Sequence, residues 1–325
     1  MPLGVDETSD SLLAPINTLP DDACLPVEES LMNSTSHAND AAYFPSRGAA
    51  TIQGTQSFRL NARRVEQQFI IDVAIPALPV QPDYKFPVIY VLDGNGVFGL
   101  VAQTFGALSM GPGGLPPAIV VGIGYAIDET VNWISRWLAL RPRDFAPTVD
   151  KVFVEQARAI PSFFGYADDI EIGRADHFLA FISEELKPFI SARFPIDSND
   201  QTIAGISLGG LFAMYVLLNQ PECFNRYVVG SPSLWWDERQ MFKHEEALAS
   251  RVSDLPVRLF LSAGALEEAQ SPLHRMVSNV DEMATRLHSR NYSSLKLTHH
   301  IFSDETHQSV GPATISRGLR SVFLA

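Results

Sequence analysis

One serine of this sequence has the surroundings of a catalytic nucleophile. The segment GISLG at 205–209 fits the pattern Gly-x-Ser-x-Gly and joins a short apolar run to a second one, Gly209–Leu218. A serine on a sharp turn between a buried strand and a helix stands above the sheet, and the glycines let both elements approach closely. The amide of Leu208 then lies at a helix N-terminus, where it can donate to a negatively charged oxygen. The alternative is a plain tight turn with Ser207 as a helix cap, and the spacing favours the nucleophile.

A serine hydroxyl attacks a carbonyl only when a base takes its proton, so a histidine must meet Ser207. His307 follows the last predicted strand in the loop SDETH, where the carboxyl end of a parallel sheet is expected. The sequence therefore predicts His307 as the base, with His300 as the second candidate. The other histidines after the serine fall in helical or polar patterns and are interpreted as solvated: His244, His274 and His288.

A histidine base needs a carboxylate that fixes its tautomer and orientation. Two glutamates, Glu267 and Glu268, follow the predicted strand Val257–Ser262 after the linker AGAL. Either one could accept the Nδ1 proton of His307, and the residues alone leave this choice open. The alternative is that both are solvated carboxylates that cap the next helix.

Two further patterns indicate different chemistry, and both are weaker. GNGVFG at 94–99 fits the glycine motif of dinucleotide-binding folds, but the window 113–121, where a ribose-binding carboxylate is expected, contains none. The histidines and aspartate of segment 299–307 suggest a metal site, yet His299 and His300 are adjacent in a strand and diverge, whereas zinc needs three or four convergent ligands. The sequence therefore predicts no nicotinamide cofactor, no metal and no other cofactor.

Composition restricts the partners of this chain. Its 325 residues carry 24 Lys+Arg against 37 Asp+Glu, a formal net charge of −13, with 46% hydrophobic and 19% charged residues. This usage is globular, and no basic stripe exists that could neutralise nucleic-acid phosphates or anionic lipids.

The longest apolar stretch, Leu115–Ile127, is too short to span a bilayer. The acidic first segment, Met1–Pro15, is no secretory signal, so a soluble, cytoplasmic protein is expected. Cys24 and Cys223 do not make a disulfide framework and are interpreted as thiols.

Apolar periodicity predicts the elements that position these residues. Two alternating strands, Gln56–Asn61 and Gln68–Pro76, are typical of an antiparallel edge. Buried strands are predicted at Phe86–Leu92, Ala118–Ile123, Thr202–Ile206 and Val257–Ser262, a strand at Arg226–Gly230, and a more polar edge strand at Leu295–Phe302. Helices are predicted at Arg174–Phe194, with a kink at Pro188, and at Gly209–Leu218 and Leu273–Leu287.

This order of strands and helices predicts an α/β fold with a mostly parallel central sheet flanked by helices. Residues 1–48 are rich in Ser, Asn, Asp and Pro and are interpreted as an N-terminal extension, whether a tail, a strap or a lid. Residues 49–325 then form one domain. A long connection at about 126–173 is interpreted as an insertion near the active site.

These residues together resemble the putative-esterase family of α/β-hydrolases, and within it the enterobactin-type siderophore esterase branch. The likeness runs from about Thr55 to Phe323, nearly all of the chain after the extension. The segments that carry it are VIYVLDG (88–94), RPRDFAP (141–147), GRADHFLAFISEELKPFI (173–190), IAGISLGGLF (203–212), SPSLWWD (231–237), AGALE (263–267) and His307. The resemblance implies an α/β-hydrolase fold for residues 49–325.

The resemblance also implies roles for individual residues. They are Ser207 as nucleophile, His307 as base, Glu267 as acid, and the backbone N–H groups of Leu208 and of Gly94 or Asn95 as the oxyanion hole. The acid position varies within the branch, and some members resemble Ser–His dyads, so a dyad stays open as an alternative. Asp93 is interpreted as a turn-forming residue.

Trp235, Trp236 and Arg143 are the candidate substrate-binding residues. One tryptophan is expected to face the substrate and the other to pack, with core packing of both as the alternative. Arg143 and Arg141 could hold an anionic substrate group or brace Asp144, and bracing is favoured. The remaining aromatic residues of the insertion indicate a roomy acyl or alcohol pocket, or else the insertion's own small core: Trp133, Trp137, Phe163, Phe164 and Tyr166.

The sequence therefore predicts a single-domain serine esterase that cleaves carboxylic esters through an acyl-serine intermediate. Its expected partner is a small molecule, a siderophore-like or other natural-product ester or lactone, and neither nucleic acid nor membrane is expected to bind. Two other functions stay open: a thioesterase or acyltransferase of a biosynthetic pathway, and a non-catalytic hydrolase-fold binding protein. Nothing in the sequence assigns an oligomeric state.

Overall fold

The structure of this chain, a computed structural model, describes residues 51–78, 80–128, 132–159 and 171–324. The predicted N-terminal extension, 1–48, lies outside the described residues, as do Cys24 and the insertion residues Phe163, Phe164 and Tyr166. Cys223 is a free, half-buried thiol. None of the helices in the described ranges has the length and apolar character of a membrane span.

One eight-stranded sheet runs through the described residues, with the spatial order β1-β2-β4-β3-β5-β6-β7-β8. The strands are β1 (Thr55–Ala62), β2 (Gln67–Ala74), β3 (Phe86–Val91), β4 (Ile119–Tyr125), β5 (Ile196–Ile206), β6 (Arg226–Gly230), β7 (Arg258–Gly264) and β8 (Lys296–Phe302). β2 pairs antiparallel with both β1 and β4, and all other pairings are parallel. The predicted α/β class with a mostly parallel sheet is confirmed, including the antiparallel edge at one side and β8 at the other.

Helices connect the parallel strands, as right-handed crossovers between such strands require. They are α1 (Gly94–Leu108), α2 (Trp133–Phe145), α3 (Lys151–Ala159), α4 (Ala175–Phe181), α5 (Lys187–Ser191), α6 (Leu208–Asn219), α7 (Trp236–Arg251), α8 (Glu267–Gln270), α9 (Met276–Ser289) and α10 (Val310–Leu324). Helices α2 and α3 lie in the predicted insertion. The turn Pro272–His274 between α8 and α9 is a 3₁₀ helix.

Apolar side chains fill a separate core on each face of the sheet. Alternate residues of β3 enter the two cores, with Val88 and Tyr90 in one and Ile89 and Val91 in the other. The first core includes α4, α6, α7 and α9, whereas the second includes α1 and α10. Because both faces are covered, the central strands carry apolar residues without alternation, which is what their sequences predicted.

The predicted kink at Pro188 takes the form of a π-helical segment. Between α4 and α5, Ile182–Leu186 form a π turn in which the N–H of Lys187 donates to the carbonyl of Ile182, five residues back. Proline has no N–H and its ring crowds the carbonyl four residues earlier, so regular α-helical bonding cannot continue through it. The helix predicted over 174–194 is therefore divided at this point.

Candidate active site

Ser207 lies on a strained turn between β5 and α6. Its φ of 62° and ψ of −121° are unusual for a residue with a side chain. The turn is tight because a Cβ on Gly205 would stand 2.3 Å from the carbonyl oxygen of Gly209. Backbone bonds hold the serine in place, since its N–H donates to Gly230 and its carbonyl accepts from Leu211. This geometry matches the elbow predicted from the glycine spacing and leaves the hydroxyl at the carboxyl end of the sheet.

His307 lies in the loop between β8 and α10 and meets the serine from the other side. Its Nε2 is 3.1 Å from Oγ of Ser207, and its Nδ1 is 2.7 Å from Oε2 of Glu267. About a third of the histidine side chain is exposed, whereas the Glu267 side chain is 1% exposed. Three side chains, each placed just after a different strand of the sheet, therefore form one hydrogen-bonded chain, in which a base can take the serine proton while a buried carboxylate fixes the base.

Glu267 is the first residue of α8, directly after β7. Burial would raise the pKa of its carboxyl group, but hydrogen bonds from His307, Ser231 and the backbone N–H of Gly264 outweigh burial, and the pKa lies below its ordinary value. The Oγ of Ser231 is 2.5 Å and the N of Gly264 is 2.6 Å from Oε1. The carboxylate therefore stays ionised, as an orienting acid must.

Glu268 has a different set of contacts. Its carboxylate accepts hydrogen bonds from the N–H and the hydroxyl of Ser278 at 2.7 and 2.5 Å, in the first turn of α9. A carboxylate there satisfies an N–H that has no partner within the helix. The structure brings Glu267 to the histidine and uses Glu268 as a helix cap, so the geometry favours Glu267 as the candidate acid.

Backbone N–H groups of two helix N-termini are available for an oxyanion. Leu208 is the first residue of α6, and Gly94 and Asn95 open α1, so none of their N–H groups has a partner within its helix. The Asn95 side chain is occupied, since Nδ2 donates to the carbonyl of Tyr125 at 2.9 Å and Oδ1 accepts from its N–H at 2.7 Å. Because β3 and β5 are neighbours, the two helix N-termini lie at the same edge of the sheet.

The glycine motif at 94–99 has a packing explanation in this fold. A Cβ on Gly94 would lie 2.7 Å from the carbonyl carbon of Ile123, which is backbone of β4. Glycine therefore allows α1 to begin directly against the sheet, and the pattern that resembled a dinucleotide-binding turn serves this close approach.

A buried ion pair joins the insertion to the turn after β3 and lies against the last residue before the elbow. Arg141 of α2 donates from Nε to Oδ1 of Asp93 at 2.7 Å and from Nη2 to Oδ2 at 2.9 Å. The same Nη2 is 3.4 Å from the carbonyl oxygen of Ile206, the residue before Ser207. Asp93 has a left-handed backbone (φ 57°), as expected of a turn-forming residue, but its carboxylate is also a structural anchor, which the sequence did not indicate. The expectation that Arg141 braces Asp144 is wrong, because its guanidinium is committed to Asp93.

Arg143 does not contact the candidate site. Its Nε and Nη2 donate to the two carboxylate oxygens of the buried Asp144 at 2.8 and 2.7 Å, and Nη1 is 3.3 Å from Oε1 of Gln67. The predicted substrate contact at Arg143 is therefore corrected. The guanidinium of Arg143 is paired with the carboxylate of Asp144, which is the bracing role that the sequence analysis favoured.

The two adjacent tryptophans have different environments. Trp236 is 1% exposed, donates from Nε1 to the carbonyl of Thr148 at 3.0 Å, and packs against Phe153. The predicted substrate contact at Trp236 is thus corrected, since its ring is part of the core. Trp235 is half-buried, and its ring stacks on His274 at 4.1 Å between centroids with an interplanar angle of 12°. One tryptophan faces the site and one packs, as expected.

A cavity of about 470 Å³ opens at the serine. Its lining residues are Ser207, Ser233, Trp235, Glu267, Gln270, Ser271, His274, Met276, His307 and Gln308. This volume is in the range of pockets that take a small-molecule ligand. His274, which was interpreted from the sequence as solvated, lines this cavity. Its position there depends on the tertiary contact with Trp235, on which its ring stacks.

The histidines of β8 do not converge on a common point. Nε2 of His299 is 3.0 Å from Oδ1 of Asp281, whereas the ring of His300 packs edge-on against Phe302. Among the described residues, no group of three or more His, Cys, Asp or Glu side chains is arranged to hold a metal ion.

Similarity to known proteins covers most of this chain. Residues 144–306 match the sequence profile of the family described as Putative esterase. The chain is 36% identical over 279 residues to the ferri-bacillibactin esterase BesA of Bacillus subtilis, which covers 84% of this chain and 90% of that protein. It is 29% identical over 263 residues to the siderophore triacetylfusarinine C esterase of Aspergillus fumigatus, covering 73% and 81%. The crystal structure of the BES protein from Bacillus cereus aligns with a TM-score of 0.71 at 30% identity, covering 86% of this chain and 98% of that one.

Proposed function

Because this chain belongs to the putative-esterase family of α/β-hydrolases and is an ester hydrolase, we propose that it cleaves siderophore-type esters through an acyl intermediate on Ser207. The family resemblance, the fold class and the esterase activity inferred from sequence are thereby confirmed. The observation that carries the proposed mechanism is the continuous hydrogen-bonded chain from Ser207 through His307 to Glu267.

The substrate class rests on the relatives. The similar proteins of Bacillus subtilis and Aspergillus fumigatus are named as esterases of ferri-bacillibactin and of triacetylfusarinine C. The cavity of about 470 Å³ at the serine is in the range of pockets that take a small-molecule ligand. The cytoplasmic location expected from the sequence stays a prediction.

Acylation begins when Oγ of Ser207 attacks the ester carbonyl carbon and His307 takes its proton at Nε2. The C–O double bond opens to an oxyanion, which receives hydrogen bonds from the N–H of Leu208 and from that of Gly94 or Asn95. The ionised Glu267 holds Nδ1–H and stabilises the imidazolium. When the C–O single bond to the alcohol breaks, Nε2 returns the proton to the departing oxygen, and the free alcohol leaves.

Deacylation repeats these steps with water. His307 takes one proton from a water molecule whose oxygen attacks the acyl carbon, and the same N–H groups receive the second oxyanion. Collapse breaks the bond to Oγ, and Nε2 gives the proton back to Ser207. The products are one carboxylic acid and one alcohol, and the enzyme is unchanged.

Hydrolysis of defined siderophores tests the substrate class. The purified protein is incubated with a catecholate trilactone and with a fusarinine-type hydroxamate triester, each with and without iron, and the products are followed by mass spectrometry in H₂¹⁸O. The expected result is release of the linear acid with one ¹⁸O per ester cleaved, and no release by Ser207→Ala. Turnover of p-nitrophenyl acetate without turnover of any siderophore ester would remove the proposed substrate class but keep the esterase.

A further inference from the structure

Two stacked rings form one wall of the cavity at the serine. The imidazole of His274 lies parallel to the indole of Trp235, at 4.1 Å between centroids. His274 is fixed from two sides, because its Nδ1 is 2.9 Å from Oγ of Ser271 and its carbonyl accepts from Nδ2 of Asn279 at 3.0 Å. A ring that is both stacked and hydrogen-bonded is pre-organised and presents its remaining edge to a ligand at low entropic cost.

The proton transfer decides which half of an ester meets this wall. In the proposed mechanism Nε2 of His307 must protonate the departing alcohol oxygen, so the alcohol has to lie beside His307. The carbonyl oxygen lies instead at the N–H groups of Leu208 and of the α1 N-terminus. In the sheet, β3 is on one side of β5, whereas β7 and β8, which are followed by Glu267 and His307, are on the other. The alcohol half therefore extends toward β7 and β8.

The cavity lies on this second side. Its lining joins His307 and Gln308 of the loop after β8 to Gln270 and His274 of the segment after β7. Next to the oxyanion loop there is a separate cavity of about 290 Å³, lined in part by Asn95 and Trp133. The two halves of an ester held at Ser207 thus have different surroundings.

We propose that His274 and Trp235 form the subsite for the alcohol half of the ester, the half that leaves during acylation. This assignment rests on the proposed function, because it follows from His307 acting as the acid toward the alcohol. In this assignment His274 determines specificity for the leaving alcohol and takes no part in the chemical step.

The lining also indicates what kind of alcohol fits. No Lys or Arg side chain belongs to the described lining of this cavity, and its carboxylate, Glu267, is committed to His307. Hydrogen-bonding groups are supplied by two amides, Gln270 and Gln308, and by the hydroxyl of Ser233, whereas the hydroxyl of Ser271 is paired with His274. An uncharged alcohol that carries amide groups satisfies this lining, whereas an alcohol with a carboxylate would be buried without a cation.

Because acylation precedes deacylation, the proposal predicts a specific kinetic result. The alcohol has left before water attacks, so a subsite for the alcohol can affect acylation but not hydrolysis of the acyl-enzyme. By microscopic reversibility, an added alcohol that intercepts the acyl-enzyme binds in the same subsite. Loss of the subsite should therefore lower both acylation by a large alcohol ester and transfer of the acyl group to that alcohol.

The experiment uses two esters of one acid: the methyl ester and the ester of N-acetylserinamide. Rates of acylation and deacylation are measured by quenched flow for the wild type, His274→Ala and Trp235→Ala, with His288→Ala as the matched control, since His288 contacts the carbonyl of Ala284 in α9 and is not part of the cavity lining. His274→Phe keeps the stacked ring and Trp235→Phe keeps an aromatic wall if the alanine variant does not fold.

The expected result is a roughly 10- to 100-fold lower acylation rate for the serinamide ester in the alanine variants, the combined size of a lost stack and a lost hydrogen bond. Acylation by the methyl ester should change less than about threefold, and deacylation should not change. Transfer to added N-acetylserinamide, relative to hydrolysis, should fall in parallel, and His274→Phe should restore part of the loss.

Equal losses for both esters, or a slower deacylation, would overturn the assignment of the alcohol half to this wall. Failure of the proposed function has a separate signature, because the wild type would then form no acyl-enzyme from either ester. If the alanine variants form the acyl-enzyme from both esters at wild-type rates, the subsite is rejected and the esterase activity is unaffected.

Discussion

The hydroxyl of Ser231 donates a 2.5 Å hydrogen bond to Oε1 of Glu267, while Oε2 of the same carboxylate receives Nδ1 of His307. Ser231 is fully buried and has a positive φ of 40°, so a strained residue after β6 supports the acid of the site. This bond is one of three that keep the pKa of Glu267 below its ordinary value against the effect of burial.

Replacing Ser231 by alanine should raise the pKa of Glu267 by removing one donor to its charged form. A group with a lowered pKa is ionised at neutral pH and becomes protonated as the pH falls, so the loss of activity should begin at a higher pH in the variant. We expect the acidic inflection that belongs to Glu267 in the pH profile of kcat/KM to move up by roughly 0.5 to 1 pH unit, with little change of kcat/KM near pH 8. A pH–rate profile that superposes on that of the wild type would contradict this role of Ser231.

Glu267 and Glu268 form a matched pair of variants. Glu267→Gln cannot hold His307 in the same tautomer and should lower kcat/KM by roughly 10²- to 10⁴-fold. Glu268→Gln should leave kcat/KM within about threefold of the wild type but cost about 0.5–2 kcal/mol of stability, because Glu268 caps α9 through Ser278. Steady-state kinetics and urea unfolding distinguish the two, and full activity of Glu267→Gln would indicate a Ser–His dyad.

Removal of Arg141 should disturb both stability and catalysis. Arg141→Met leaves the carboxylate of Asp93 buried without its partner, which costs about 3–5 kcal/mol, and it loosens the loop that provides the Gly94 and Asn95 N–H groups. The double variant with Asp93→Asn should be more stable than Arg141→Met alone. Arg63→Met is the control, because the Arg63 side chain is 88% exposed and such pairs contribute little. An Arg141→Met variant as stable as the control would show that the pair is unimportant.

Lys187 should give the chain a measurable alkaline pH dependence. Burial lowers the pKa of Lys187 to about 8, and its ammonium donates to the carbonyl of Cys223 over the ring of Phe224. Between pH 8 and about 10 the unfolded chain holds a proton at this lysine that the folded chain has lost, so stability rises with pH in that window.

Relative to Lys187→Met, the wild type should therefore gain about 1–2 kcal/mol in unfolding free energy from about pH 7.5 to about pH 9.5. Urea unfolding at both pH values measures this difference. Lys296→Met, at an exposed position of β8, is the control and should follow the wild type. A Lys187→Met difference that is independent of pH would mean that this lysine titrates as it does in water.

The sheet and the elbow were predictable because their signals are local. A strand covered on both faces, such as Phe86–Val91, shows a continuous apolar run, and glycine is required at 205 because a Cβ there would meet the backbone of Gly209. His307 was found from its position after the last strand. Helix α1 was missed because its glycines weaken a helical pattern.

The contacts around the site could not be predicted, because they join segments far apart in the chain. Asp93 and Arg141 are 48 residues apart, and Ser231 and Glu267 are 36 apart. His274 lies in a short 3₁₀ turn with an exposed neighbour, Leu273, so its pattern is that of a solvated residue until the fold brings it to Trp235. Tertiary structure decides each of these pairs, and no local propensity encodes them.

Labelling with a fluorophosphonate followed by peptide mapping tests the central claim most directly, because this reagent modifies only a serine whose proton can be taken by a base. We expect stoichiometric modification at Ser207, lost in Ser207→Ala and strongly slowed in His307→Ala. A folded protein that stays unlabelled, or that is labelled at another serine, would contradict the assignment of Ser207 and His307 as nucleophile and base.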